Sequence, residues 1–248
     1  MNAVADFLPL LEREGEAMAR AAVAAGPDAE VPTCPGWRVR DLVLHLGNVH
    51  RWATRYLVER RTAFVRVGAE RVPDEALAGW LRAGLAVLLD ELAAAPKDLE
   101  CWTFLKGSPS ARHFWARRQT HETAVHRMDA ELAAGLRPGP VEPWRAADGV
   151  AELLTGFHGR ARSRVRSERQ LTLRVRAVDV PAADWLVRIT EAPPRAEAAG
   201  DGPADCEISG PAAGLYAALW NRLGYGEAGV EVRGDAAVAG LWRSLSGI

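Results

Sequence analysis

Cysteine is scarce in this chain of 248 residues: Cys34, Cys101 and Cys206 are far apart, and no two have the C-x-x-C spacing of a zinc or redox site. That excludes a disulfide framework and points to a reducing compartment, the cytoplasm. Long apolar runs are missing too, so no membrane span is expected. The first residues, "MNAVADFLPLLEREGEAMARAAVAAG", carry acids early and space their apolar side chains, unlike a secretory signal. An excess of one charge is also absent, with a formal net charge of -1, and a polyanionic partner is therefore not indicated. The run "GRARSRVRSERQLTLRVR" is rich in arginine but has no interleaved aromatics, and reads as a solvated helix end and strand face rather than a nucleic-acid surface.

What is present is a core-forming composition, 48% hydrophobic, sufficient for two domains. Apolar residues recur at helical steps in Ala3 to Ala25 (Phe7, Leu8, Leu11, Met18, Ala22), and again after Pro35-Gly36 on the stripe Leu42, Leu46, Val49, Ala53 and Tyr56. A third helix is expected from about Pro73 to Ala95, and a fourth from about Ala111 to Leu132 after the loop "PKDLECWTFLKGSPS". Such helices joined by loops imply an antiparallel four-helix bundle. Beyond Pro143 a fifth helix, Trp144 to about Arg164, precedes short strands in "LTLRVRAVDV", "DWLVRIT", "ADCEISG" and "GVEVRG", with helices in "PAAGLYAALWNRLG" and "DAAVAGLWRSL". The expected class is α+β, with a bundle over residues 1–143 and a smaller α+β domain over 144–248.

The chemistry-bearing stretch is "RRQTHETAVHRMDAEL". Glu122 and His126 are four apart and share a helix face. His45 falls inside the apolar stripe of the second helix and is expected to point into the bundle, where it could meet that pair. Two imidazoles and one carboxylate suit zinc or another divalent transition metal, with a position left open for water or substrate. Asp129, one turn further on, could orient a ligand imidazole. His121 is the weaker alternative to Glu122, because five residues separate it from His126. The spacing alone is also met by chance, and a single inward histidine is more often a hydrogen-bonded core residue. His50 and His121 are read as structural or solvent-facing, Trp37 as packing the start of the second helix, and Cys34 as a loop residue with no catalytic part.

The segments P-G-W-x-x-x-x-L-x-x-H-L, at Pro35 to Leu46, and H-E-x-x-x-H-R-x-D, at His121 to Asp129, occur together and in this order. In this the chain resembles the mycothiol-dependent maleylpyruvate isomerases, whose N-terminal half is a DinB-like metal-binding bundle and whose C-terminal domain is sterol-carrier-like. The resemblance implies zinc bound by His45, Glu122 and His126, and mycothiol as the thiol cosubstrate. It further implies an arginine of the C-terminal domain facing the metal across the interdomain cleft, for which Arg222 of "LWNR" is the best match. A metal-bound thiolate would then add to a small electrophile, isomerising a maleylpyruvate-like cis-enoate. The alternatives are a mycothiol S-transferase of detoxification or biosynthesis, or a metal-containing binding module without turnover. The expected partners are the electrophile and the low-molecular-weight thiol, with no nucleic acid and no membrane. The oligomeric state is not legible in the sequence.

Overall fold

The computed structural model describes residues 3–200 and 202–247. The chain forms two compact units, Met1–Gly139 and Pro140–Ile248, and is α+β. None of the described helices is long and apolar enough to cross a membrane.

The first unit contains α1 (Val4–Ala25), α2 (Val39–Glu59), α3 (Leu77–Ala94) and α4 (Ala111–Ala133). The residues of the second-helix stripe, Leu42, Leu46, Val49, Ala53 and Tyr56, are all buried, as are Leu77, Leu81, Leu85, Leu88 and Leu92 of α3. Local signals set the helix starts. The Asp41 carboxylate accepts the Arg38 backbone N–H at 2.9 Å, and Ser110 Oγ accepts the His113 N–H at 3.2 Å.

The helices run up, down, down, up. Around the core, α1 packs on α3 and α4, and α2 on the same two. The α2–α4 pair is antiparallel: His45 lies near Glu122, His50 against Thr123, and Tyr56 stacks on Trp115. The pairing of α2 with α3 is parallel, since a Cβ on Gly47 would meet Trp80 and one on Gly84 would meet Arg51. Gly47 permits this approach, because its added Cβ would stand only 2.1 Å from the Trp80 ring.

The parallel pair is made possible by residues 60–73, an extended strap that returns along α2. Three α2 side chains, one turn apart, clip its backbone. Asn48 both donates to Glu70 O at 3.1 Å and accepts from Glu70 N at 3.0 Å. Trp52 Nε1 donates to Val65 O at 2.6 Å, and the Tyr56 hydroxyl accepts from Val65 N at 2.7 Å.

The second unit contains α5 (Pro143–Ala151), β1 (Leu171–Ala177), β2 (Asp184–Ile189), β3 (Arg195–Ala198), β4 (Cys206–Gly210), α6 (Ala212–Leu219), β5 (Glu231–Gly234) and α7 (Ala236–Leu245). The sheet order is β3-β2-β1-β4-β5, with β1 and β4 parallel and the other pairs antiparallel. Leu173, Val175 and Ala177 of β1 are buried. On its alternate residues, Arg174 pairs with both oxygens of Asp184, and Arg176 with Glu207 at 2.9 Å. The arginine-rich run thus includes a cross-strand ion-pair ladder.

Three sequence-based boundaries are corrected. The fifth helix does not reach Arg164: it passes into a π-helical segment at Glu152–Phe157, where Thr155 donates back to Ala151 O at 2.7 Å and Gly156 weakens the helix, and then ends. The β3 strand was not expected, because "RAEA" is exposed and carries no apolar alternation. The helix expected over "PAAGLYAALWNRLG" stops at Leu219, where Asn221 takes a left-handed conformation (φ 63°) and turns the chain.

Candidate metal centre

The antiparallel crossing of α2 and α4 brings His45, Glu122 and His126 together. Among the described residues they form the one cluster of three metal-capable side chains, with one donor atom from each lying within 4.8 Å of the others. Glu122 Oε1 is 3.3 Å from His45 Nε2 and 3.4 Å from His126 Nε2. Donors bound tetrahedrally at zinc–ligand distances of about 2.0–2.1 Å stand about 3.3 Å apart, so these two separations are of the size that shared coordination requires.

His45 departs from its expected inward position. Its side chain is 35% exposed, with the ring centroid 5.1 Å from Trp37 and 5.0 Å from His126. The cluster therefore sits at the rim of the α2–α4 seam rather than deep in the bundle, which suits access by a ligand. A cavity of about 230 Å³ opens beside His45, bordered by Trp37, Asp41, Asn48 and the strap residues Val67 to Arg71. Trp37 both packs on the core and walls this cavity. A larger cavity, about 1060 Å³, is lined by the α3–α4 connection from Lys97 to Ala111 and none of the three clustered residues. Chemistry, not size, picks out the smaller one.

The surroundings of the cluster orient it. Asp129 is fully buried and its Oδ2 lies 2.8 Å from His126 Nδ1. A carboxylate only accepts, so Nδ1 is the donor and Nε2 is the atom turned to Glu122. Asp129 is in turn held by the Thr33 hydroxyl and by Cys34 Sγ at 3.7 Å, which ties the α1–α2 loop to the site. Arg118, four residues before Glu122 and 2% exposed, donates to Glu122 Oε2 at 3.0 Å.

Charge is arranged accordingly. Burial opposes ionisation of Glu122, but hydrogen bonds from His126 and His45, with the charges of His126 and Arg118, outweigh it and hold the carboxyl well below its usual range. Burial also disfavours the His126 imidazolium, yet hydrogen bonds to Asp129 and Glu122 prevail and push it up to about 9. Without a metal the centre is a carboxylate between histidine donors. A metal held there would take the place of the proton on His126 Nε2.

The other histidines stay outside the cluster. His121 and His50 are fully buried, and His50 Nε2 lies 2.9 Å from Thr123 Oγ1. Burial pushes His50 down to about 3, a neutral core residue. Arg222 lies in the turn after α6, not on a helix, and its Nη1 donates to Trp220 O at 2.6 Å. Two supporting residues escaped the sequence reading, Arg118 and Thr33. Arg118 carried a usable signal, its i, i+4 relation to Glu122; Thr33 carried none.

Comparison with known proteins covers both units of the chain. Residues 8–131 match the mycothiol maleylpyruvate isomerase N-terminal domain, and residues 145–241 match the C-terminal domain of the same family. The chain belongs to the mycothiol-dependent maleylpyruvate isomerase family. A crystal structure of the mycothiol-dependent maleylpyruvate isomerase superposes with a TM-score of 0.60 at 16% identity, covering 93% of each chain. A histidine-to-alanine mutant of that enzyme superposes at 0.56 and 15% identity, again over 93% of each chain. At these identities the likeness concerns the fold. A search of curated proteins found no match.

Proposed function

We propose that the chain is a zinc- and mycothiol-dependent isomerase of a small cis-enoate of the maleylpyruvate type, with His45, Glu122 and His126 as the metal ligands. The observation that carries this reading is the spacing of the three donor atoms on α2 and α4, at tetrahedral edge length for two of the pairs, in a chain of this family. Zinc, or another divalent transition metal, would supply Lewis acidity at this position and favour the thiolate form of a thiol.

The protein's own groups have separate tasks. Asp129 fixes the His126 ring so that Nε2 is presented, and Glu122 supplies the negative charge that a dication needs. The cavity beside His45, walled by Trp37 and the strap, receives the organic part of a ligand. Arg222 is assigned to the substrate carboxylate, or to the enolate that develops from it, on the family resemblance.

In the isomerisation the thiolate sulfur bonds to one carbon of the activated cis double bond, and the electron pair moves onto the conjugated carbonyl as an enolate. The former double bond, now single, rotates. Collapse of the enolate breaks the carbon–sulfur bond, releasing the trans isomer and the thiol, so no atom is gained or lost. Three free cysteines fit a reducing, cytoplasmic setting for such a thiol.

The test is to incubate zinc-loaded protein with mycothiol and a panel of cis-enoates and alkyl electrophiles, following isomer ratio and thioether mass. Isomer without accumulated adduct supports the proposal. A stable adduct assigns the chain to S-transfer instead, and no change in either quantity assigns it to binding without turnover.

A further inference from the structure

We infer that Arg118 restricts Glu122 to a single coordinating oxygen and thereby keeps one position of the metal open. The inference rests on the metal reading given above and adds a positioning residue to it. The two Glu122 oxygens have different partners: Oε1 faces His45 Nε2 at 3.3 Å and His126 Nε2 at 3.4 Å, while Oε2 accepts from Arg118 Nη2 at 3.0 Å. A carboxylate free to rotate could offer both oxygens to one cation, adding a fourth protein donor atom to a site that needs a vacancy for its thiol.

Arg118 is suited to prevent this. It stands one helical turn before Glu122, so the contact is set by the α4 backbone rather than by a loop. It is 2% exposed, and breaking an ion pair of a buried guanidinium is costly, so the contact to Glu122 is held in place. Its proton is permanent, so the contact is kept at any working pH. The arrangement also puts the carboxylate between two cations, with the guanidinium on the far oxygen, so that Arg118 does not directly oppose the metal. Arg117, five residues from Glu122, lacks this register.

Cobalt(II) substitution reads the coordination number directly, because four-coordinate cobalt absorbs visible light severalfold more strongly than five- or six-coordinate cobalt. The wild-type protein is expected to give the intense, four-coordinate band. In Arg118→Met the freed Oε2 joins the metal and the band falls severalfold, whereas Arg118→Lys, which retains a cationic donor, recovers most of the intensity. Cobalt bound in Arg118→Met with an unchanged band overturns the inference while leaving the metal site intact. Protein that takes up no cobalt overturns the metal reading and this inference with it. Should Arg118→Met fail to fold, X-ray absorption of the wild-type zinc protein decides: one carboxylate oxygen at bonding distance supports the assignment, and two refute it.

Discussion

The imidazole of His126 is held from behind by Asp129, Nδ1 to Oδ2 at 2.8 Å, so that its Nε2 meets Glu122 Oε1 at 3.4 Å. The contact is formed inside one helix, three residues apart, and Asp129 is itself anchored by Thr33 from the loop before α2. Asp129→Asn keeps the size of the side chain but loses its charge and leaves Nδ1 a mixed partner. Zinc affinity, measured by competition with a chelator, is expected to fall by about 10- to 100-fold. Unchanged affinity would remove Asp129 from the site.

The strap along α2 is held by side-chain contacts to its backbone, with Asn48 making two of the bonds. Asn48→Ala is expected to cost about 1–3 kcal/mol, since both Glu70 backbone groups lose their side-chain partner. Hydrogen exchange of the Glu70 amide should accelerate, and KM should rise more than kcat changes, because residues 67–71 wall the cavity at His45. Unaltered exchange at Glu70 would show that the strap is held by something else.

Acid should destabilise the second unit through His158. The ring is buried against Trp242, and burial pushes its pKa from the usual 6.5 down to about 4. The unfolded chain therefore binds a proton near pH 6.5 that the folded chain refuses until about pH 4. The stabilisation is complete above pH 6.5 and is lost as pH falls towards 4, at up to about 1.4 kcal/mol per pH unit. Thermal melts of the full chain against pH should show this slope, and His158→Gln should lessen it, with buried His50 still contributing; a variant with the wild-type slope would contradict the assignment.

Metal binding should also be visible as stability. At free zinc one hundred times the dissociation constant, the folded state gains about 2.7 kcal/mol. Zinc should raise Tm in the wild type but not in His45→Ala, although His45, 35% exposed, contributes little to the core. An equal shift in both proteins would place the bound metal elsewhere.

The two helices that matter most were legible because apolar residues at helical steps define a face, and Glu122 and His126 four apart must share one. Their third partner was legible only as a possibility, since the period of α2 gives the direction of His45 roughly but not its 35% exposure. Helix directions were legible in part: the α2–α4 crossing is antiparallel as expected of the bundle, whereas α2 and α3 run parallel. A strap of mixed polarity with no helical period decides that α2 and α3 run parallel, and it is fixed by Asn48, Trp52 and Tyr56, residues that also read as ordinary helix positions. Arg118 offered its i, i+4 register to Glu122 within "ARRQ", while its burial came only with the completed packing. The ends of α5 and α6 were misplaced for a local reason, a widened turn at Thr155-Gly156 and a left-handed Asn221.

The central claim is that His45, Glu122 and His126 hold one catalytic metal, and metal content of the purified chain tests it most directly. Elemental analysis of wild type and of His45→Ala, Glu122→Ala and His126→Ala, each confirmed folded by circular dichroism, should give one zinc or similar transition metal per wild-type chain and a loss in every variant. A metal-free wild type, or full metal retention in the three variants, would contradict the account.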